Sequence, residues 1–207
     1  MGLSADQLRT SLDALAEVEP KIAAAIARVG YPEPRIRDRG YATLLRTIVG
    51  QQVSVAAAQS IWNKLEAGLG DLDDPATIAR SDLETLRSFG LSRQKGSYAL
   101  SLADEVTSGR LDLADLPTDD EEAIAQLVRI KGIGRWSAEI YLLFAEGRAD
   151  IWPAGDLAVQ IEIGRILGHE ERSGEKLTRD LAKPWRPHRG AAAILAWHHY
   201  KTDMAVI

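Results

Sequence analysis

Apolar residues recur at helical spacing along almost the whole chain, as in Tyr41, Leu44, Leu45 and Ile48 and again in Trp136, Ile140, Leu143 and Phe144. No stretch alternates apolar and polar residues for long enough to pair into a sheet. The nearest, RLDLADL around Leu111 and Leu113, reads as a connector. The predicted class is therefore all-α. Helix starts are marked by Ser4 with Gln7, Ser81 with Glu84 and Thr118 with Glu121, each at the spacing that lets two side chains satisfy orphan amides reciprocally. Gly30, Gly68, Gly90 and Gly168 follow apolar runs, where a left-handed residue closes a helix without steric cost. Together these signals predict roughly ten helices of ordinary length.

At 207 residues the chain can bury one large core or form two small lobes sharing a cleft, and we expect the two-lobed arrangement. YPEPRIRDRG, residues 31–40, contains two prolines and cannot be helical, so it is the expected crossing. The lobes would be 41–130 and, returning to it, 1–40 with 131–207. With no cysteine present, disulfides, thiolate zinc sites, iron–sulfur clusters and cysteine nucleophiles are excluded together. The opening MGLSADQLRTSLDALAEVEP has early acids and no unbroken apolar run. It predicts neither a signal peptide nor a membrane span, hence a cytoplasmic protein with no membrane partner.

A net charge of -5 argues at first sight against a nucleic-acid partner, because Lys and Arg supply most non-specific affinity for phosphates. The distribution tempers this. Asp104 to Glu122 holds eight acids against Arg110 alone, whereas Arg28 to Arg46 holds five bases against two acids, and Arg179 to Lys201 five against one. Such runs are either solvated faces or binding surfaces, and charge does not choose between them.

Two segments carry chemistry. In LVRIKGIGRWSAEIYLLF, residues 127–144, one amphipathic helix ends, Gly132-Ile133-Gly134 turns, and another begins. Glycines let a backbone approach a phosphate, the second helix's first amides favour an anion, and Arg129, Lys131 and Arg135 add positive charge. A plain helical hairpin with a glycine turn has the same pattern. Further on, IWPAGDLAVQIEIGRILG delivers Asp156 to the start of an apolar helix with Val159, Ile163, Ile166 and Leu167. Capping is the ordinary role of such an Asp, and it is compatible with catalysis, since the helix terminus stabilises a carboxylate that can face developing positive charge.

Together these segments resemble the helix-hairpin-helix, Gly/Pro-rich loop, Asp (HhH-GPD) superfamily of DNA glycosylases, and within it the AlkA-type 3-methyladenine DNA glycosylase II branch. LLRTIVGQQVSVAAA, residues 44–58, is similar to the branch's segment that enters the duplex. KGIGRWSAEIYLLF resembles its hairpin, WPAGDLAV its catalytic loop, and AKPWRPHRGAAAILAWHHY, residues 182–200, its closing helix. The pieces occur in family order from about residue 40 to 200, and the chain looks like the compact form without an N-terminal β domain.

The resemblance implies a two-lobed helical enzyme with its cleft between the lobes, acting as a monomer on double-stranded DNA that contains damaged bases. It would hydrolyse the N-glycosidic bond of bases such as 3-methyladenine or 7-methylguanine and leave an abasic site. Asp156 would be the catalytic carboxylate, and Trp136 and Trp197 would flank the extruded base, although core packing is an equal reading of either ring. Gly132 and Gly134, beside Lys131 and Arg135, would present amides to phosphate. Gln51, Gln52, Val53 and Ser54 would enter the duplex, with Gln52 or Val53 filling the vacated stack. No cofactor is implied beyond a structural monovalent cation, Na+ or K+, among the carbonyls of Val128, Ile130 and Ile133. Ile140 and Leu157 replace aromatics of some relatives. His198 and His199 read as packing or surface residues. Strand-cleaving members carry a Schiff-base lysine two residues after the second hairpin glycine, where this chain has Trp136, which cannot form an imine. A lyase, and a DNA-binding module without chemistry, are the alternatives.

Overall fold

The computed structural model describes residues 2–169 and 172–204, which form twelve α-helices and one 3-10 turn with no strand among them. The chain divides into two units, Met1–Arg37 with Leu142–Ile207, and Asp38–Tyr141. One boundary falls inside the proline-bearing segment 31–40 and the other inside helix α9 (Arg135–Phe144). Residues 131–141, assigned above to the terminal lobe, therefore group with the central helices. The reason is local: Gln51 Nε2 donates to the Gly132 carbonyl at 2.8 Å, Lys131 N donates to Ser101 Oγ at 3.1 Å, and Ile130 and Ile133 are buried.

In the first unit, α1 (Ala5–Val18) and α2 (Pro20–Val29) join α10 (Leu157–Ile166), α11 (Glu175–Leu181), the 3-10 turn Lys183–Trp185 and α12 (Arg189–Met204). Ala191 to Ala196 are buried without a break, so α12 is apolar on every side there and packs against α1, α2 and α10. Alanine on three flanks lets those helices approach closely. Two polar links fix α12: in a buried one His199 Nδ1 lies 2.7 Å from Glu162 Oε2 on α10, and in a partly buried one His198 Nε2 lies 2.8 Å from the Val29 carbonyl. Both histidines are thus packing residues.

The second unit contains α3 (Tyr41–Gly50), α4 (Val55–Leu69), α5 (Pro75–Ala79), α6 (Leu83–Ser88), α7 (Arg93–Thr107), α8 (Asp120–Leu127) and the first turns of α9. Its core is built from Leu44, Leu45 and Ile48 of α3, Leu65 of α4 and Leu102 of α7, all fully buried. Each such side chain contributes about 1.5–3 kcal/mol relative to exposure. The RLDLADL segment is non-helical, with Leu111, Leu113 and Leu116 buried beneath the connection.

Several helix limits differ from the sequence reading. Ser4 with Gln7 forms the expected capping box, but α6 and α8 are capped by Asp82 and Asp119, one residue after the expected Ser81 and Thr118. Each carboxylate accepts the amide three residues on, a charge-assisted bond that a hydroxyl does not match. Gly30, Gly90 and Gly168 have positive φ at helix ends as expected, whereas Gly68 lies inside α4, which runs on to Gly70. Gly68 serves packing instead, since a Cβ there would meet the Phe89 ring at 2.2 Å.

The two hairpin glycines differ in kind. Gly132 has φ 83, and a Cβ there would lie 2.0 Å from the Tyr98 ring, whereas a Cβ at Gly134 would meet nothing within 4 Å. We expect Gly132→Ala to lower stability by about 2–4 kcal/mol, combining left-handed strain with overpacking, while Gly134→Ala stays within about 0.5 kcal/mol of the parent. Urea midpoints of the two variants check this, and equal midpoints would contradict it.

Candidate active site

Asp156 is held from three directions within the first unit. It is the N-cap of α10, at φ -72 and ψ 126, and its Oδ1 accepts the Val159 amide at 3.0 Å. The indole Nε1 of Trp197, on α12, donates to the same oxygen at 3.1 Å. The Asp156 amide closes a turn onto the Pro153 carbonyl at 2.9 Å. Capping and a side-chain donor therefore act together on one carboxylate.

The loop that delivers Asp156 is fastened along its length. Trp152 is buried, donates Nε1 to the Thr178 carbonyl at 3.0 Å, and meets Trp185 edge-on with ring centres 5.8 Å apart. Gln160 Nε2 donates to the Ala154 carbonyl at 2.8 Å. Upstream, Arg189 makes a bidentate pair with Asp150 at 2.8 and 2.7 Å, and the Gly190 amide donates to the Ala149 carbonyl at 2.8 Å. A Cβ on Gly190 would lie 2.7 Å from that carbonyl oxygen, so α12 approaches the loop as closely as it does because residue 190 is glycine. The sequence reading missed these supports. Trp152 and Gln160 lie inside the quoted motif, but nothing in spacing distinguishes a buried donor from an ordinary helix residue.

Trp197 is half-buried, and its neighbours are specific. Phe144 packs on it with ring centres 5.6 Å apart and tilted by 45°, and the Arg35 guanidinium stands 5.5 Å from its ring centre. Arg37 stands 5.8 Å from the Phe144 ring, with its amide donating to the Phe144 carbonyl at 2.9 Å. Burial lowers the pKa of the Arg35 guanidinium, as does Arg37, while Asp156 acts in the opposite direction. Leu157, the first residue of α10, is 55% exposed beside Asp156 in sequence.

In the second unit the hairpin joins α8 to α9. Trp136, the second residue of α9, is 46% exposed, which a residue serving the core alone would not be. Ile140, one turn on, is buried. Lys131 is exposed, but Arg135 is engaged by Glu121 at 2.8 Å and by buried Glu139 at 2.9 Å. Hydrogen bonding to Glu121, and then the Glu139 field, raise its pKa above the ordinary arginine range. Its charge is thus matched locally. Arg129 likewise pairs with Glu105 at 3.2 Å.

The turn between α3 and α4 holds the remaining candidates. Gln51 is tied to Gly132, and Ser54 caps α4 through the Ala57 amide at 3.2 Å. Between them Gln52 has φ 55, the sole left-handed non-glycine among the described residues, a strain of about 1–2 kcal/mol. Val53 is exposed next to it. Lys95 Nζ donates to the Val49 carbonyl at 2.8 Å, securing the end of α3. Beside the turn, the Arg46 guanidinium lies 3.7 Å from the Trp62 ring centre at the edge of a 190 Å³ cavity that Val53 and Val55 also line. Sequence spacing gave no sign of that cavity.

For a monovalent cation, the carbonyls of Val128, Ile130 and Ile133 are neutral oxygen donors that follow the end of α8, the negative end of its dipole. Ile130 O accepts the Ile133 amide at 3.0 Å and retains a second lone pair. The donors are compatible with such an ion.

Residues 45–187 match the family described as HhH-GPD superfamily base excision DNA repair protein. The chain is 27% identical over 165 residues to YfjP of Bacillus subtilis, a match that covers 76% of this chain and 58% of that relative. The chain thus spans little more than half of YfjP's length. Its fold is similar to the crystal structure of a DNA-3-methyladenine glycosidase from Bacillus halodurans, with TM-score 0.87, 29% identity and coverage of 94% and 91% of the two chains. It is also similar to the 3-methyladenine DNA glycosylase Mag1 of Schizosaccharomyces pombe in complex with abasic DNA, with TM-score 0.73, 27% identity and coverage of 94% and 97%. The family match spans the hairpin, the Gly/Pro loop and Asp156 in one stretch, and the chain belongs to the HhH-GPD superfamily of base excision DNA repair proteins.

Proposed function

We propose that this protein is a monofunctional DNA glycosylase that binds double-stranded DNA, extrudes an alkylated base such as 3-methyladenine or 7-methylguanine, and hydrolyses its N-glycosidic bond. The observation that carries the reading is the double grip on Asp156, by the Val159 amide and by Trp197 Nε1, at the head of α10. The cap alone accounts for the Val159 amide, and the indole donor from another helix adds a second hold on the same oxygen.

The geometry supports a division of labour. Both donors reach Oδ1, which fixes the plane of the carboxylate and orients it before the substrate arrives. A charge fixed in this way stabilises the oxocarbenium-like sugar without reorganising during the reaction. An alkylated purine is already cationic, so it departs without a second carboxylic acid, unlike the leaving groups of most glycoside hydrolases. Asp156 also orients the water that completes the reaction. The indole face of Trp197 takes the flipped base, where stacking contributes about 1–3 kcal/mol, and Trp136, exposed on α9, is a second aromatic open to stacking on DNA. Gly134 and the first amides of α9 take a phosphate, with Lys131 adding charge. Gln52, already strained, and exposed Val53 fill the vacated stack. The carbonyls of Val128, Ile130 and Ile133 would hold a monovalent cation, whose role there is structural.

Three outcomes test this. Asp156→Asn keeps an acceptor for the Val159 amide but removes the charge, so single-turnover base release should fall by about a hundredfold to a thousandfold while affinity for a lesion duplex is retained. Unchanged release would reduce Asp156 to a cap. Trp197→Phe keeps a ring but loses the donor, and release should slow by roughly tenfold, the lower end for a hydrogen bond to a charged group. Release at the parental rate would show that the indole N–H is dispensable. With Trp136 where lyases have lysine, an end-labelled lesion duplex should stay intact until treated with alkali. Strand cleavage without alkali, with borohydride trapping, would establish the lyase instead.

A further inference from the structure

Arg35 lies in the segment 31–40 that the sequence marked as a connection. Its guanidinium stands over Trp197, the same indole that donates to Asp156. It is close enough to Asp156 for the carboxylate to favour its charged form, against burial and the neighbouring Arg37. Among the described residues it has no carboxylate within ion-pair distance, so the ring face is what holds it.

A cation in that position conflicts with the proposed reaction in two ways. It covers an indole face that a flipped base would use, and a positively charged base would be repelled by it. Its field also opposes the sugar cation that Asp156 serves to stabilise. Both conflicts end if the guanidinium leaves the ring when DNA enters. A phosphate is the acceptor best suited to draw it away, because the planar fork of arginine matches two phosphate oxygens. An extruded nucleotide carries a phosphate on each side of its sugar, and so brings that acceptor to the carboxylate that attends the sugar.

We propose that Arg35 is a phosphate-binding residue for the extruded nucleotide, parked on the Trp197 face in the free protein and transferred to the DNA backbone on binding. The transfer uncovers the indole and withdraws a positive charge from Asp156. This rests on the glycosylase reading and adds to it a contact from outside the hairpin. It also places recognition of the backbone and exposure of the base-stacking surface on one side chain.

The test compares the parent with Arg35→Ala and Arg35→Lys, each first checked for an unchanged melting temperature. Equilibrium binding to a duplex bearing a tetrahydrofuran abasic analogue is measured over a series of salt concentrations. Removing one phosphate contact should reduce the slope of log affinity against log salt by about 0.9 in Arg35→Ala, and Arg35→Lys should keep the parental slope. Single-turnover release of 7-methylguanine should reach half its maximum at roughly tenfold higher Arg35→Ala concentration, with the saturating rate within about threefold of the parent. An unchanged salt slope in Arg35→Ala overturns the proposal, as does a variant whose loss falls on the saturating rate. If the parent itself releases no alkylated base, the glycosylase reading fails separately, since the salt slopes do not depend on turnover.

Discussion

The first amides of α10 have no partner within the helix, and the chain supplies Asp156 to one of them. This elementary requirement of a helix end brings a carboxylate to a fixed position and gives it a fixed orientation. The rest of the first unit is arranged around that position. Trp152, Gln160 and the Asp150–Arg189 pair fasten the loop that precedes the cap, and α12 crosses close enough for Trp197 to reach the same oxygen. The small side chains of α12 permit that approach, and the His199–Glu162 link sets its register. The helix cap and the indole hydrogen bond meet in the same atom.

A similar economy holds in the second unit, where the hairpin separates two tasks between two glycines. Gly132 is required by backbone conformation and by the Tyr98 ring, whereas Gly134 faces open space at the head of α9. The first shapes the turn and the second leaves room outside it. Pairing of Arg135 and Arg129 with nearby acids means that the hairpin's surface charge is smaller than its base count suggests. The phosphate site proposed there therefore rests chiefly on backbone amides rather than on surface charge.

Much of this was legible in the sequence. Helical periodicity gave the all-α class, and the motif around Asp156 indicated the cap. What escaped was set by competition or by distance. Ser81 and Thr118 satisfied the capping pattern, but an aspartate stood next to each and took the role. Gly68 had the spacing of a helix stop, yet the helix continued because the ring of Phe89 packs against that flat surface. The hairpin joined the central helices through the hydrogen bond of Gln51 to Gly132, two residues 81 positions apart that no local window compares. Arg35 was hidden for the same reason, since its significance lies in Trp197, on the last helix.

That hydrogen bond between Gln51 and Gly132 also has a mechanical meaning. It bolts the turn carrying Gln52 and Val53 to the hairpin carrying Gly134, and Lys95 braces the same corner from α7. Two loops far apart in the sequence are thereby coupled at one point. In the proposed function the turn enters between stacked bases while the hairpin takes the backbone, and this hydrogen bond links the two. A duplex held at both loops would have to bend between them, and a bend of 40–90° costs on the order of 1–6 kcal/mol.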